Sequence, residues 1–178
     1  MPSPAVVNFM RQQGFPQEPA DACDMRFEGL YFQPRIVFVL VLLAVLLQAA
    51  ALFLAISAVL WWNVLFPAWN PFEAVYNRVI AARRGRLPLS PAPAPRRFAQ
   101  AVNAAFNLGS GLTLLAGWTA ASWVLQALLV AAFSLLLFAK FCLGAYVFHV
   151  LRGEAAFANR TLPWAAGASD RRFTSGRK

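Results

Sequence analysis

Two long blocks of the chain carry almost no charge, and the rest of the sequence lies beside or between them. Residues 36–72 contain no Asp, Glu, Lys, Arg or His, and residues 98–151 contain only Lys140 and His149. As one helix the first block would measure about 55 Å at about 1.5 Å per residue, against a hydrocarbon core of about 30 Å. Two tightly turned spans, over residues 36–49 and 52–69, fit that thickness. Their turn falls at Gln48 to Ala51, the polar interruption in the middle of the run, although it holds neither Gly nor Pro. A single tilted or kinked helix is the alternative. Trp61, Trp62 and Trp69 then fall toward the end of the second span, where an aromatic belt belongs. The second block divides at Gly117-Trp118-Thr119 into spans over 98–116 and 120–151. The pattern predicts an all-α membrane protein of four transmembrane helices in two hairpins.

The segment between the blocks has its own grammar. Asn70-Pro71-Phe72-Glu73 sets an N-cap residue before a proline at the first helical position, with a glutamate placed to close a capping box. Phe72, Val75, Tyr76, Val79 and Ile80 recur at the spacing of one helical face, and Gly85 supplies a stop. This predicts an amphipathic helix over residues 71–84, lying in the headgroup layer or packed on the protein's own cytoplasmic face. Residues 87–95 follow as a proline-rich, extended linker. Its Pro88 to Pro91 pair matches an SH3-type ligand, but a plain linker is the preferred reading.

Composition and charge fix the class and the orientation. With 60% apolar and 13% charged residues in 178, the chain is too apolar for a soluble domain and too short for more than one membrane bundle. Its net charge of +9 would suit nucleic acid, but the basic residues cluster beside the spans, so a bilayer with anionic lipid is the expected partner and nucleic acid is not. Four spans bring the leader (residues 1–35), the arginine-rich segment around Arg78, Arg83 and Arg84, and the tail (152–178) to one side. That arrangement, N-in and C-in, satisfies the positive-inside rule. No apolar core of a secretory signal precedes the first span. In the leader, Val6, Val7, Phe9 and Met10 suggest a short amphipathic turn ahead of Gly14. The tail, with six basic residues against Glu154 and Asp170, reads as mostly disordered and held near anionic lipid, with Trp164 dipping into the interface.

Candidate chemistry is sparse. Cys23 sits between Asp21 and Asp24, whose charges discourage a thiolate. Ser134, Cys142, Ala145 and His149 share one face of a continuous fourth helix. On that helix Cys142 and His149 stand about 10 Å apart, too far for a thiolate–imidazole pair. One histidine and one cysteine fall short of a metal site, so no metal and no cofactor is expected. A lone His149 as axial ligand to a tetrapyrrole is the remote alternative to an interfacial polar residue. Lys140 is expected to snorkel toward the interface. Along the third helix Asn103, Asn107 and Ser110 form a polar stripe that must face the bundle, while Ala101, Ala105 and Gly109 offer a small-residue ridge. Gly144, beside Cys142, leaves room for close helix approach.

Pro93-Ala94-Pro95-Arg96-Arg97-Phe98-Ala99, then a hairpin of spans, then Phe141-Cys142-Leu143-Gly144, resembles the bacterial integral-membrane family known as domain of unknown function 4395. The resemblance covers roughly residues 20 to 151 and includes Asn70-Pro71-Phe72. It implies four spans in two hairpins in a bacterial inner membrane. The family's ending, Phe-Cys-x-Gly-Cys, implies a dithiol, yet its second cysteine corresponds here to Ala145, so only Cys142 remains for thiol chemistry. A non-catalytic accessory, scaffold or assembly component with membrane-protein partners is the expected function. The rival is a membrane thiol protein relaying reducing equivalents or sulfur through Cys142.

Overall fold

The computed structural model describes residues 3–15 and 20–165, with side chains from residue 26 onward in the second stretch. Expectations for Cys23 and for the tail beyond residue 165 lie outside the described residues. The described chain is helical, with no strand. Four long helices, α2 (Ala20–Leu47), α3 (Ala50–Leu65), α6 (Ala94–Leu115) and α7 (Thr119–Ala139), form two hairpins, α2–α3 and α6–α7, and α3 packs along α6. Around one end of these four lie short elements: α1 (Pro4–Gln12), α4 (Pro71–Val75), a π-helical stretch (Tyr76–Ala81), α5 (Ala82–Arg84), α8 (Leu143–Leu151) and α9 (Ala155–Arg160).

The first apolar block is two helices, broken where the sequence suggested. Gln48 takes the left-handed conformation (φ 48°) that usually calls for glycine. Its side chain answers the end of α2, its Nε2 donating to the Val45 carbonyl at 2.6 Å and to Gln126 Oε1 of α7 at 3.0 Å. The break is therefore held by side-chain hydrogen bonds rather than by a glycine. α2 begins well ahead of residue 36, and α3 ends at Leu65, short of residue 69, because Pro67 opens a separate 3₁₀ turn (Pro67–Trp69). By length and apolarity Arg26–Leu47 and Thr119–Ala139 suffice to cross a membrane, with mean hydropathies of 2.3 and 2.1, while Ala50–Leu65 is a shorter apolar helix. α6, though long, carries Arg96 and Arg97 in its first turn.

The expected helix over 120–151 is two helices, which corrects the sequence reading. α7 stops at Ala139, Lys140 turns left-handed (φ 55°), and the Phe141 amide donates back to the Leu135 carbonyl at 3.2 Å. This is a Schellman-type ending with lysine where glycine is usual. The Lys140 ammonium sits 5.5 Å from the Phe27 ring centre. Cys142 then precedes α8 as its N-cap residue, so Ser134 no longer shares a helix face with Cys142 and His149.

The interfacial helix also differs from its expected form. Asn70 Oδ1 accepts from the Phe72 and Glu73 amides, and Gly85 (φ 60°) ends the run, as the sequence suggested. Between them the π-helical stretch inserts an extra residue per turn. The phase shifts, so the side turned to the protein holds Glu73, Tyr76 and Ala81, with Phe72 and Ile80 partly buried, while Val75 and Val79 are 49% and 48% exposed. The start of the tail is folded, not disordered, with α9 seated against α8.

Side chains bury in two clusters. Between the long helices lie Val37, Val41, Phe53, Ile56, Leu60, Leu129 and Phe133. Under the short elements lie Val6, Phe9, Met10, Leu30, Tyr31, Tyr76, Cys142 and Ala145. Gly29 permits the second cluster to close, because a Cβ there would stand 2.9 Å from both the Leu89 side chain and the Tyr76 ring.

Candidate functional site

The most elaborate polar arrangement lies where the two clusters meet, at the arginine-rich end of the bundle. Gln33 of α2 accepts at Oε1 from Gln100 Nε2 of α6 at 3.0 Å and from Asn70 Nδ2 at 3.4 Å. One amide oxygen thus ties together both hairpins and the helix cap between them. Arg96 stands one turn before Gln100 on α6, and both are buried. Glu73 is pushed above the ordinary carboxylate range, chiefly by burial and against the pull of Arg96 and of its hydrogen bond with Asn70. Because a guanidinium stays protonated in proteins, the site holds a positive charge removed from water.

Arg96, Gln33 and Gln100 line a cavity of about 360 Å³ whose other walls are mostly apolar, among them Val37, Phe106, Leu129 and Phe133. Asn103, Cys142 and Gly144 also line it, as does Gln13 from the end of α1. Pro34 contributes to the same wall. Lacking an amide proton, it leaves the Leu30 carbonyl without the usual helical partner.

Of the sequence candidates, Arg96, Asn103, Cys142 and Gly144 come together here. Arg97 points away, donating through Nε and Nη2 to the Val64 carbonyl at 3.2 and 2.9 Å and so capping the end of α3. Phe98 stacks on Phe148 with ring centres 5.7 Å apart, and Phe141 packs between Tyr146 and Trp164. Asn107 donates to Asn103 Oδ1 at 2.7 Å, and Ser110 is fully buried beyond it. Ser134 is half-buried on α7, away from the polar group. The close contact of α3 with α6 is made by Ala104, whose carbonyl accepts from Ser57 Oγ at 2.8 Å, and by Gly111 against Leu54. Of the expected ridge, Gly109 instead meets Leu125 of α7 and Ala105 is exposed.

Both ring nitrogens of His149 are occupied. Nδ1 lies 2.7 Å from Glu154 Oε2 and Nε2 lies 3.2 Å from the Gln12 carbonyl. Ligation of a tetrapyrrole would require breaking one of these contacts. Among the described residues no three of His, Cys, Asp or Glu converge. Cys142 is a buried free thiol whose amide donates to Gln12 Oε1 at 3.1 Å.

Sequence reasoning missed Gln13, Gln33 and Gln100. A signal for the last existed, since Arg96, Gln100, Asn103 and Asn107 recur at offsets of four, three and four and extend the polar stripe by two turns. No curated protein and no solved structure matches the chain. Residues 28–152 match the family model described as domain of unknown function (DUF4395), from the early part of α2 to the end of α8, and the chain belongs to that family.

Proposed function

We propose that this protein is a multi-pass inner-membrane protein whose helices α2, α3, α6 and α7 cross the bilayer with both terminal segments cytoplasmic. In this reading it works as a non-catalytic accessory, scaffold or assembly component of a membrane complex. The observation that carries the membrane assignment is the exposed apolar surface of the four long helices. Val39, Leu43 and Leu46 on α2, Val59 on α3, Leu108 and Leu112 on α6, and Val124 and Leu128 on α7 are all exposed. Large apolar side chains exposed on all four helices have lipid as their natural solvent. The arginines support the orientation, since Arg78, Arg83, Arg84, Arg97 and Arg152 all belong to elements gathered at the end where α2 and α6 begin.

Single cysteines at Ala50 and Thr119, in a cysteine-free background, are expected to react from outside with an impermeant maleimide, and one at Ser90 is not. Labelling at Ser90 in intact cells overturns the orientation. The scaffold role is read by pull-down in mild detergent with identification of co-purifying proteins. A thiol relay is the second reading, favoured by the position of Cys142 on the cavity wall. Cys142→Ser separates the two. On the scaffold reading, abundance and co-purifying proteins stay nearly intact. Loss of function at unchanged protein level, or a mixed disulfide or persulfide trapped on Cys142, favours the relay.

A further inference from the structure

The cavity beside Arg96 has two chemically distinct parts. Its polar end is under-satisfied. The Arg96 guanidinium, only 5% exposed, makes no hydrogen bond or ion pair with the described residues. Gln13 Nε2 is buried on the same wall beside the Cys142 thiol, with no oxygen or nitrogen acceptor. Buried polar groups are ordinarily hydrogen-bonded, and the charge of Glu73, which acts on Arg96 from beyond ion-pair distance, leaves the guanidinium donors open. The remaining wall is apolar, running along Leu129, Ala132, Phe133 and Leu136 of α7 and Phe106 of α6. On one flank that wall reaches the surface, where Leu128, Leu143 and Val147 are 52%, 44% and 37% exposed. The cavity is therefore open sideways between α7 and α8, toward what the membrane reading makes lipid.

We propose that this cavity binds a single-chain fatty acid, its carboxylate held by Arg96 and Gln13 and its hydrocarbon tail lying along α7 toward the Leu128–Val147 flank. A carboxylate supplies what the site lacks, since a planar guanidinium donates two parallel hydrogen bonds to it and both oxygens can accept more. Gln13 Nε2 is a further donor for the same head. The size suits one chain, because about 360 Å³ lies at the small end of ligand cavities, which span about 300–1,000 Å³. Entry from the side suits a ligand that partitions into the bilayer. This inference rests on the membrane reading for the source of the ligand, though not for the recognition of its head.

The test uses the full chain in mild detergent and a diazirine-bearing fatty acid as probe, competed with dodecanoate, methyl dodecanoate or a lysophosphatidate. Crosslinks are expected at Leu128, Ala132, Leu136 or Val147, displaced by dodecanoate and at least tenfold less by its methyl ester. Arg96→Gln is expected to reduce crosslinking at least tenfold, while Arg78→Gln, the same charge change on an exposed face, leaves it unchanged. Should Arg96→Gln fail to fold, two other variants decide. Gln13→Met is expected to weaken competition by dodecanoate but not by its ester, and Ala132→Phe to weaken hexadecanoate more than decanoate. Equal competition by the ester, stronger competition by the lysophosphatidate, or crosslinks confined to the outer positions Leu108 and Leu112 overturns the proposal. The maleimide pattern is read separately in cells. An intact pattern without cavity crosslinks sinks this inference alone, and a reversed pattern with cavity crosslinks sinks only the proposed orientation.

Discussion

Gly144 is the position where a single methyl group should do the most damage. A Cβ built there stands 2.7 Å from the Ala99 Cα and 2.8 Å from the Ala99 Cβ, against 3.4–4 Å for ordinary contact. Restoring contact to 3.4 Å requires α6 and α8 to part by about 3.4 − 2.7 = 0.7 Å, and the obstructing atoms are backbone and Cβ, with no flexible chain end to swing aside. Overpacking of this kind costs about 1–3 kcal/mol. Alanine recovers about 0.5–1 kcal/mol over glycine within a helix, so the net loss for Gly144→Ala is about 0–2.5 kcal/mol. Gly109→Ala is the matched control. Its new Cβ meets only the Leu125 Cδ1 at 3.1 Å, the far end of a mobile side chain, so that variant should be neutral or gain up to about 1 kcal/mol. Equilibrium unfolding in mixed micelles, followed by far-UV circular dichroism, measures both. Equal stability of the two variants would refute the reasoning, because it would mean that α8 does not press on α6 as closely as the geometry states.

Two further outcomes follow from the polar end of the bundle. Glu73 has its folded-state pKa raised, chiefly by burial, so its contribution favours the fold below the unfolded value of about 4.3 and is lost as pH rises through the raised folded value; Glu73→Gln should flatten the unfolding free energy across that window, and an unchanged pH slope would contradict it. Asn70→Ala removes the cap of α4 and one of the two hydrogen bonds to Gln33 Oε1, costing about 1 kcal/mol for the cap alone, with faster hydrogen exchange at Phe72 and Glu73 as the local signature.

How far the sequence could be read depended on which force set each feature. The hairpins were legible because block length and charge distribution constrain them strongly, and the Gln48 turn was placed correctly even without a glycine. The break at Lys140 was hidden, since residues 120–151 hold no proline and are mostly apolar, and a lysine rarely adopts the left-handed conformation that ends α7. The face of the interfacial helix was misread because a π-helical stretch changes the period on which the reading relied. Arg96 and Cys142 were singled out from the family motif. Their convergence with Gln13 and Gln33, from elements about 60 to 130 residues away in sequence, has no local signature. Nor has Gly29, which reads as a helix-weakening residue until Leu89 and Tyr76 are seen against it.

One side chain within the family match contacts both of the segments that flank it, and that gives the last prediction. His149, on α8, contacts the Gln12 carbonyl at the end of α1 through Nε2 and Glu154, ahead of α9, through Nδ1. Its ring also packs 4.7 Å from that of Phe157 on α9. The Gln12 carbonyl belongs to the last turn of a helix, where no intrahelical amide is available to it. His149→Phe keeps a ring of similar volume and removes both polar contacts at once. Each such hydrogen bond contributes about 0.5–1.5 kcal/mol, so the local opening free energy of α1 and α9 should fall by about 1–3 kcal/mol, or about 5–150-fold in opening equilibrium. Amides of residues 6–13 and 155–161 should exchange faster by that factor, with those of α3 unaffected because it packs chiefly on α6 and α2. Since Gln13 leaves the cavity wall when α1 opens, capture of the fatty-acid probe should weaken in parallel. Acceleration spread evenly over all helices, or none at α1, would show that His149 is not the tie between them.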